Sequence, residues 1–163
     1  MSEPQPITKV SIIVSQGSLT GVYPGLIMAN GARMAGIDAT LFFTFFGMNA
    51  IVKKKMDKLK VATVGNPAMD MPGGIPMPTV LGAIPGMSAF GTYMMKKEME
   101  ALDIPPVGEF VEMISDAGGH IYACRAAFDM FHLKEEDLCE QVEGILTIGD
   151  FYEKSAGAQV IFT

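Results

Sequence analysis

Short apolar runs alternate with longer amphipathic stretches along most of this chain. Val10-Ser11-Ile12-Ile13-Val14 is nearly continuous in apolar, β-branched residues, the pattern of a strand buried on both faces of a parallel sheet. A polar turn, Ser15 to Thr20, follows, with Ser18 or Thr20 available to cap a helix that runs to about Met34. Gly36 is placed to end that helix, and Pro24 is tolerable only if it stands in the first turn. Thr40 to Phe46 is a second strand with aromatics on both faces, so it belongs in the middle of the sheet, and Gly47 breaks it. Met48 to Lys58 is expected to form a short helix with a basic, solvated end.

The second half continues the alternation. Ser88 to Leu102 takes a helical pattern, with Phe90, Met94 and Met95 on one side, and Asp103-Ile104-Pro105-Pro106 stops it. Pro106 opens another helix, in which Val107, Phe110, Val111 and Ile114 fall at i, i+3, i+4 and i+7. Gly118-Gly119 ends it and delivers the chain to a strand, His120 to Ala123, followed by a helix that begins around Cys124. Leu133 to Leu138 reads as a surface turn or short helix, Gly149 to Lys154 as the centre of a further helix, and Ala158 to Thr163 as a terminal strand. Strands and helices at this spacing imply one α/β domain over 1–163. Its sheet is mostly parallel, with about five strands and helices on its faces, in a flavodoxin-like or doubly wound arrangement.

Residues 65–87 break the alternation. Met71-Pro72-Gly73-Gly74-Ile75-Pro76-Met77-Pro78 forbids a regular helix or central strand, so a long loop is expected. Such a loop is a lid, a partner surface or disordered, and Met71 and Met77 would suit an adaptable apolar contact. The segment Val80 to Met95 is the longest apolar stretch, but Pro85 and glycines interrupt it, and integral membrane insertion is not expected.

Composition narrows the function. A formal net charge of −6 argues against a nucleic-acid partner, which needs clustered Lys and Arg; the one basic run is Lys53-Lys54-Lys55. Two cysteines, Cys124 and Cys139, give neither a disulfide framework nor a CxxC pair, which fits a reducing, cytoplasmic setting. Residues 1–6 lack the charged and apolar regions of a signal peptide and read as a tail.

Cys124 is the leading chemical candidate because it sits where a strand hands over to a helix. Ligands of open α/β sheets bind beyond the carboxyl ends of strands, and helix-terminal amides favour a thiolate. Arg125 could add a second positive influence. The alternative is that Cys124 is a small, buried hydrophobe. Cys139 stands among Glu135, Glu136, Asp137 and Glu140, whose charge would raise its pKa and leave it a poor nucleophile or at most a resolving thiol. His120 shares a strand face with Tyr122 and Cys124 but lies roughly 13 Å from Cys124 at about 3.3 Å per residue, too far to act as its base. His132 ends the helix, where the dipole favours a cation. Asp129, five residues past Cys124, is either solvated or orients a partner amide. Gly17 and Ser18 lie after the first strand, but no GxGxxG or P-loop pattern is present. Ser15, Ser18 and Thr20 could still hydrogen-bond an anion there. No cluster of metal ligands appears, and no cofactor is expected.

Several pieces together resemble the DsrE/DsrF-like family. They are Gly17-x-Leu19, Ala29-Asn30-Gly31-Ala32, Leu41-Phe42-Phe43-Thr44-Phe45-x-Gly47, Gly91-Thr92-x-Met94-Met95-Lys96-Lys97, and Ile121-Tyr122-Ala123-Cys124 with Asp129-Met130. The resemblance spans nearly the whole chain in order. It implies sulfur handling by small α/β homo- or hetero-oligomers, with sulfane sulfur held as a persulfide on the cysteine matched by Cys124. It further implies a sulfur-relay partner such as a small carrier of the TusA type. The chain departs from the family's pattern at Arg125, where a small or amide residue is usual, and it lacks the Thr-x-x-Cys motif of a peroxiredoxin. On this reading the residues that stabilise substrate or adduct are Arg125, Ala126, Asp129, Gly17 and Ser18. A non-catalytic ligand-binding module with Cys124 lining a pocket, and an oligomeric or membrane-peripheral scaffold, are the rival expectations.

Overall fold

The aromatic run that the sequence places mid-sheet is indeed its centre. In the computed structural model, which describes residues 5–62, 70–71, 73–76 and 78–163, strand β2 (Asp38–Phe43) pairs in parallel on both sides. On one side lie β1 (Lys9–Val14) and then β7 (Gln159–Phe162); on the other lie β5 (His120–Cys124) and β6 (Gly144–Leu146). The order β6-β5-β2-β1-β7 makes a five-stranded parallel sheet, with Ile13 opposite Phe42 and Phe42 opposite Tyr122.

Alternation along these strands sends their side chains to two helical layers. Helix α1 (Leu19–Met34) covers Ile12 and Val14, with Gly25 against both side chains, and α3 (Val107–Asp116) packs beside α1 through the buried Val107, Phe110, Val111 and Ile114. The i, i+3, i+4, i+7 stripe therefore buries as its spacing requires. On the opposite face Phe42 stacks on Phe151 of α5 (Ile148–Lys154), with ring centroids 4.6 Å apart. Helices α2 (Met87–Ala101) and α4 (Arg125–Met130) complete the set.

The caps follow the sequence in most places. Ser18, rather than Thr20, is the N-cap of α1, and its Oγ accepts the Gly21 N–H at 3.2 Å. Ala35 and Gly36 close that helix, with Ile37 N–H donating back to Ala32 O. Pro24, however, stands in the second turn of α1, not the first. It removes one i→i−4 bond there, a loss that the burial of Val22, Tyr23, Gly25 and Leu26 on either side offsets.

Two further expectations are corrected. The second strand stops at Phe43, because Phe45 takes φ 44°, a left-handed conformation that ends the ladder and leaves Phe45 and Phe46 exposed. Met48 to Lys58 is not one helix but two 3₁₀ turns, Phe45–Ala50 and Met56–Lys58. Between them the backbone is claimed by another segment: Cys139 N–H donates to Ile51 O and Lys53 N–H to Asp137 O, so those groups cannot close helical turns. Ala50, Ile51 and Val52 are consecutively buried, which a helix with one wet face does not allow. Within 65–87 the chain forms a small antiparallel pair, β3 (Asp70–Met71) with β4 (Ile75–Pro76), and a 3₁₀ turn at Thr79–Ala83. Met71 thus belongs to β3, and Met77 lies outside the described residues.

Tyr23 ties the first layer together. Its hydroxyl donates to Pro105 O at 2.9 Å, and its ring lies 6.1 Å from that of Phe110. Burial first, and the charge of Asp57 second, push its pKa from 10.0 up to about 12. The folded protein therefore holds the Tyr23 proton through a window, pH 10 to about 12, in which the unfolded chain releases it. Stability is full below that window and falls as pH rises through it. A spectroscopic titration is expected to show a late phenolate near pH 12 that Tyr23→Phe removes. Ionisation of every tyrosine by pH 11 would contradict this placement.

Candidate functional site

A helix end and a strand pair carry Cys124 to its position. Gly118 closes α3 at φ 82°, and Gly119 N–H returns to Ile114 O at 2.8 Å, turning the chain into β5. Pairing of β5 with β2 and β6 then fixes its register, with Cys124 opposite Leu146. Cys124 is extended (φ −78°, ψ 125°) and α4 starts at the next residue, so the thiol stands at the carboxyl end of a near-central strand. That is the rim at which open α/β sheets bind ligands. The residue is 3% exposed and its thiol is free. No side chain caps the start of α4.

The neighbours expected around it are partly assembled. Arg125 and Ala126 are exposed at the head of α4. The Arg125 guanidinium lies 3.7 Å from Asp129 Oδ1 and 5.5 Å above the Phe128 ring centroid. Asp129 thus meets Arg125 one turn back, and an exposed pair of this kind contributes about 0.3–0.5 kcal/mol. Gly17 and Ser18 sit two strands away, in a separate cavity of about 430 Å³ lined also by Phe46, Asn49 and Lys60. The hydroxyls there are engaged internally: Ser15 Oγ donates to Thr163 O, while Ser18 Oγ takes the Gly21 N–H and lies 3.3 Å from Thr20 Oγ1. Phe46 connects the two regions, since its carbonyl abuts Gly17 and its ring lies 5.8 Å from Phe131 at the end of α4.

Cys139 is a second buried thiol. It lines a cavity of about 500 Å³ with Lys53, Arg125, Glu135, Glu140 and Glu143. Burial is the leading cause that pushes its pKa up, opposed by backbone hydrogen bonds and by Lys53; the acidic neighbours that the sequence brings forward are not the cause. Because the thiolate is the reactive form, Cys139 is expected to alkylate more slowly with iodoacetamide at neutral pH than a free cysteine in an unfolded peptide. Peptide mass mapping over time checks this, and labelling at the unfolded rate would contradict it.

His120 stands at the opposite end of β5 from Cys124, as the strand length requires. Its Nδ1 is 2.9 Å from Glu143 Oε1, and Tyr122 donates its hydroxyl to Glu143 Oε2 at 2.8 Å. Burial and then that hydrogen bond raise the Tyr122 pKa. His132 occupies the residue after the α4 C-cap at φ 51°, donating its N–H to Asp129 O. Glu143 and strand β6 were not legible as site neighbours in the sequence. The signal that could have found β6 is the capping box at Thr147, whose Oγ1 accepts Asp150 N–H while Asp150 accepts Thr147 N–H. A helix start that firm marks the three apolar-leaning residues before it as an element. Among the described residues no three His, Cys, Asp or Glu side chains converge as metal ligands, and no helix is long and apolar enough to cross a membrane.

Comparison with known proteins bears on the fold and the family. The chain is 34% identical over 137 residues to the sulfur carrier protein DsrE2 of Allochromatium vinosum, covering 83% of this chain and 85% of that one. It is 24% identical over 140 residues to the uncharacterized protein YrkE of Bacillus subtilis, covering 83% and 84%. Among solved structures it resembles the protein of unknown function MTH1491 from Methanobacterium thermoautotrophicum. That match has a TM-score of 0.56 at 9% identity, over 95% of this chain and 98% of the other, a likeness of fold. The family model for DsrE/DsrF/DrsH-like proteins matches residues 7–162. With the parallel sheet, the Cys124 junction and these matches together, the chain belongs to the DsrE/DsrF/DrsH-like family.

Proposed function

We propose that this chain is a sulfur carrier that holds sulfane sulfur on Cys124. The observation that carries the reading is the position of Cys124 at the carboxyl end of β5, at the head of a helix without a side-chain cap, in a chain 34% identical to a sulfur carrier. With thiosulfate, the Cys124 thiolate attacks the outer sulfur, the S–S bond breaks, and sulfite leaves with the electron pair, giving a persulfide. With tetrathionate, attack on an inner sulfur releases thiosulfate and leaves a thiosulfonate on Cys124. Polysulfide gives a persulfide and a shortened polysulfide. An acceptor thiolate then attacks the sulfur bonded to Cys124 Sγ and takes it, together with its sulfonate in the case of the thiosulfonate, and the Cys124 thiolate leaves with the electron pair and is restored. The first amides of α4, at Arg125 and Ala126, and the Arg125 charge favour the anionic adduct.

On this reading the protein works in a reducing compartment such as the cytoplasm, as an oligomer, and exchanges sulfur with a small carrier protein of the TusA type. The 3% exposure of Cys124 favours a second reading, in which it is a packing residue lining a non-catalytic pocket. Cyanolysis separates the two. After tetrathionate or polysulfide and removal of excess donor, the carrier yields about one cyanide-reactive sulfur per chain. No reactive sulfur in the wild type would sink the carrier reading.

A further inference from the structure

A wide cleft lies away from Cys124. It has a volume of about 810 Å³, in the range of small-ligand sites, and is bounded by α1, the end of α2, the start of α3 and the turn at Met56–Lys58. Its floor is apolar: Leu19, Tyr23, Met56, Met99, Ile104 and Val107. A further apolar recess of about 250 Å³ shares Leu19, Tyr23, Met99 and Ile104 and adds Pro24, Ile27 and Met95, so the trough continues between α1 and α2.

The rim has the opposite character. Asp57, Glu100, Asp103 and Glu109 line the cleft against one cation, Lys96. Lys96 offsets one of these charges but forms no ion pair with any of them, its Nζ donating to the backbone carbonyl of Asp57 at 2.8 Å. Asp57 Oδ1 accepts the Gly108 N–H at 3.0 Å. Among the described residues, none of the four carboxylates has a Lys, Arg or His nitrogen within ion-pair distance. Four carboxylates against one ammonium leave the rim of an apolar trough negative, which repels anions and favours a cation. They are spread about a wide mouth rather than converged, which does not suit a bare metal ion. The walls can adapt, since Met56, Met95 and Met99 are unbranched.

We infer that this cleft binds an organic cation with an apolar tail. The ammonium group sits at the rim among Asp57, Glu100, Asp103 and Glu109, and the tail lies along the trough between α1 and α2. The site involves neither cysteine and stands or falls independently of the sulfur-carrier reading.

The test uses the full chain and four probes below their micelle concentrations: octylammonium, octyltrimethylammonium, octanoate and octanol, followed by calorimetry and by methionine-methyl NMR. Octylammonium is expected to bind saturably at one site, shifting the Met56 and Met99 methyls, and to weaken as salt rises. Octyltrimethylammonium is expected to bind comparably, and octanoate at least about tenfold more weakly. Glu100 and Asp103 are exposed, so Glu100→Gln with Asp103→Asn leaves the fold intact by circular dichroism; it is expected to weaken octylammonium about fivefold or more. Absence of saturable octylammonium binding would overturn the inference. So would octanoate or octanol binding as tightly as octylammonium, or an unchanged affinity in the double variant.

Discussion

Cys124→Ser is expected to leave the protein folded and to reduce its cyanide-reactive sulfur to background. Serine matches cysteine closely in shape, and a hydroxyl in the nearly dry position of Cys124 costs about 1–3 kcal/mol, less than the stability of a typical domain. The chemistry is far less forgiving. A hydroxyl is not ionised at neutral pH and forms no persulfide, so transfer to an acceptor thiol should fall on the order of a thousandfold or more. Cys139→Ser is the matched control. Burial keeps the Cys139 thiol protonated, and its loss should leave sulfur loading close to the wild-type level. If the two variants lost sulfur equally, both thiols would be needed, and Cys139 would have to be the resolving partner of Cys124.

Gly47→Ala is expected to destabilise the fold by about 3 kcal/mol. A Cβ at Gly47 would lie 2.1 Å from Val14 O, 2.7 Å from Val14 C and 3.2 Å from Ser15 N. All three are backbone atoms at the end of β1, and they are held: Thr44 N–H donates to Val14 O and Gly47 N–H to Ser15 O, each at 3.0 Å. No side chain can swing aside, so the turn Phe45–Ala50 must lift as a unit. It carries Phe46 with it, away from Gly17 on one side and Phe131 on the other. The denaturant midpoint, at unchanged slope, reads this directly. A loss below about 1 kcal/mol would mean that the crossing over β1 is looser than drawn.

What could be read from the sequence was whatever periodicity and terminal residues specify. β1, the centre of the sheet, the α3 stripe and the Gly36 and Gly118 helix ends all rest on local patterns, and the family matches agree with the fold they imply. Two of the failures share a cause, which is tertiary hydrogen bonding that no local pattern encodes. Ile51 and Lys53 gave up a helix because residues 137–139 bond to their backbone. β6 has too few residues to show a period, the capping box at Thr147 being the one local sign of where it ends, and the strand exists because β5 is beside it. At the site, Cys124 and its junction were legible from turn, strand and helix signals. The turn of Arg125 toward Asp129 and Phe128, the pairing of His120 and Tyr122 with Glu143, and the distance of Gly17 and Ser18 from Cys124 were not. The raised pKa of Cys139 was foreseen for the wrong reason. Acidic residues next to it in sequence matter less than its burial.

Whether sulfur resides on Cys124 is decided by peptide-resolved mass spectrometry of the polysulfide-treated protein, digested without reductant. One added sulfur atom is expected on the peptide containing Cys124, removable by dithiothreitol, with the Cys139 peptide unmodified. Added sulfur on Cys139 alone, or an undiminished adduct in Cys124→Ser, would contradict it.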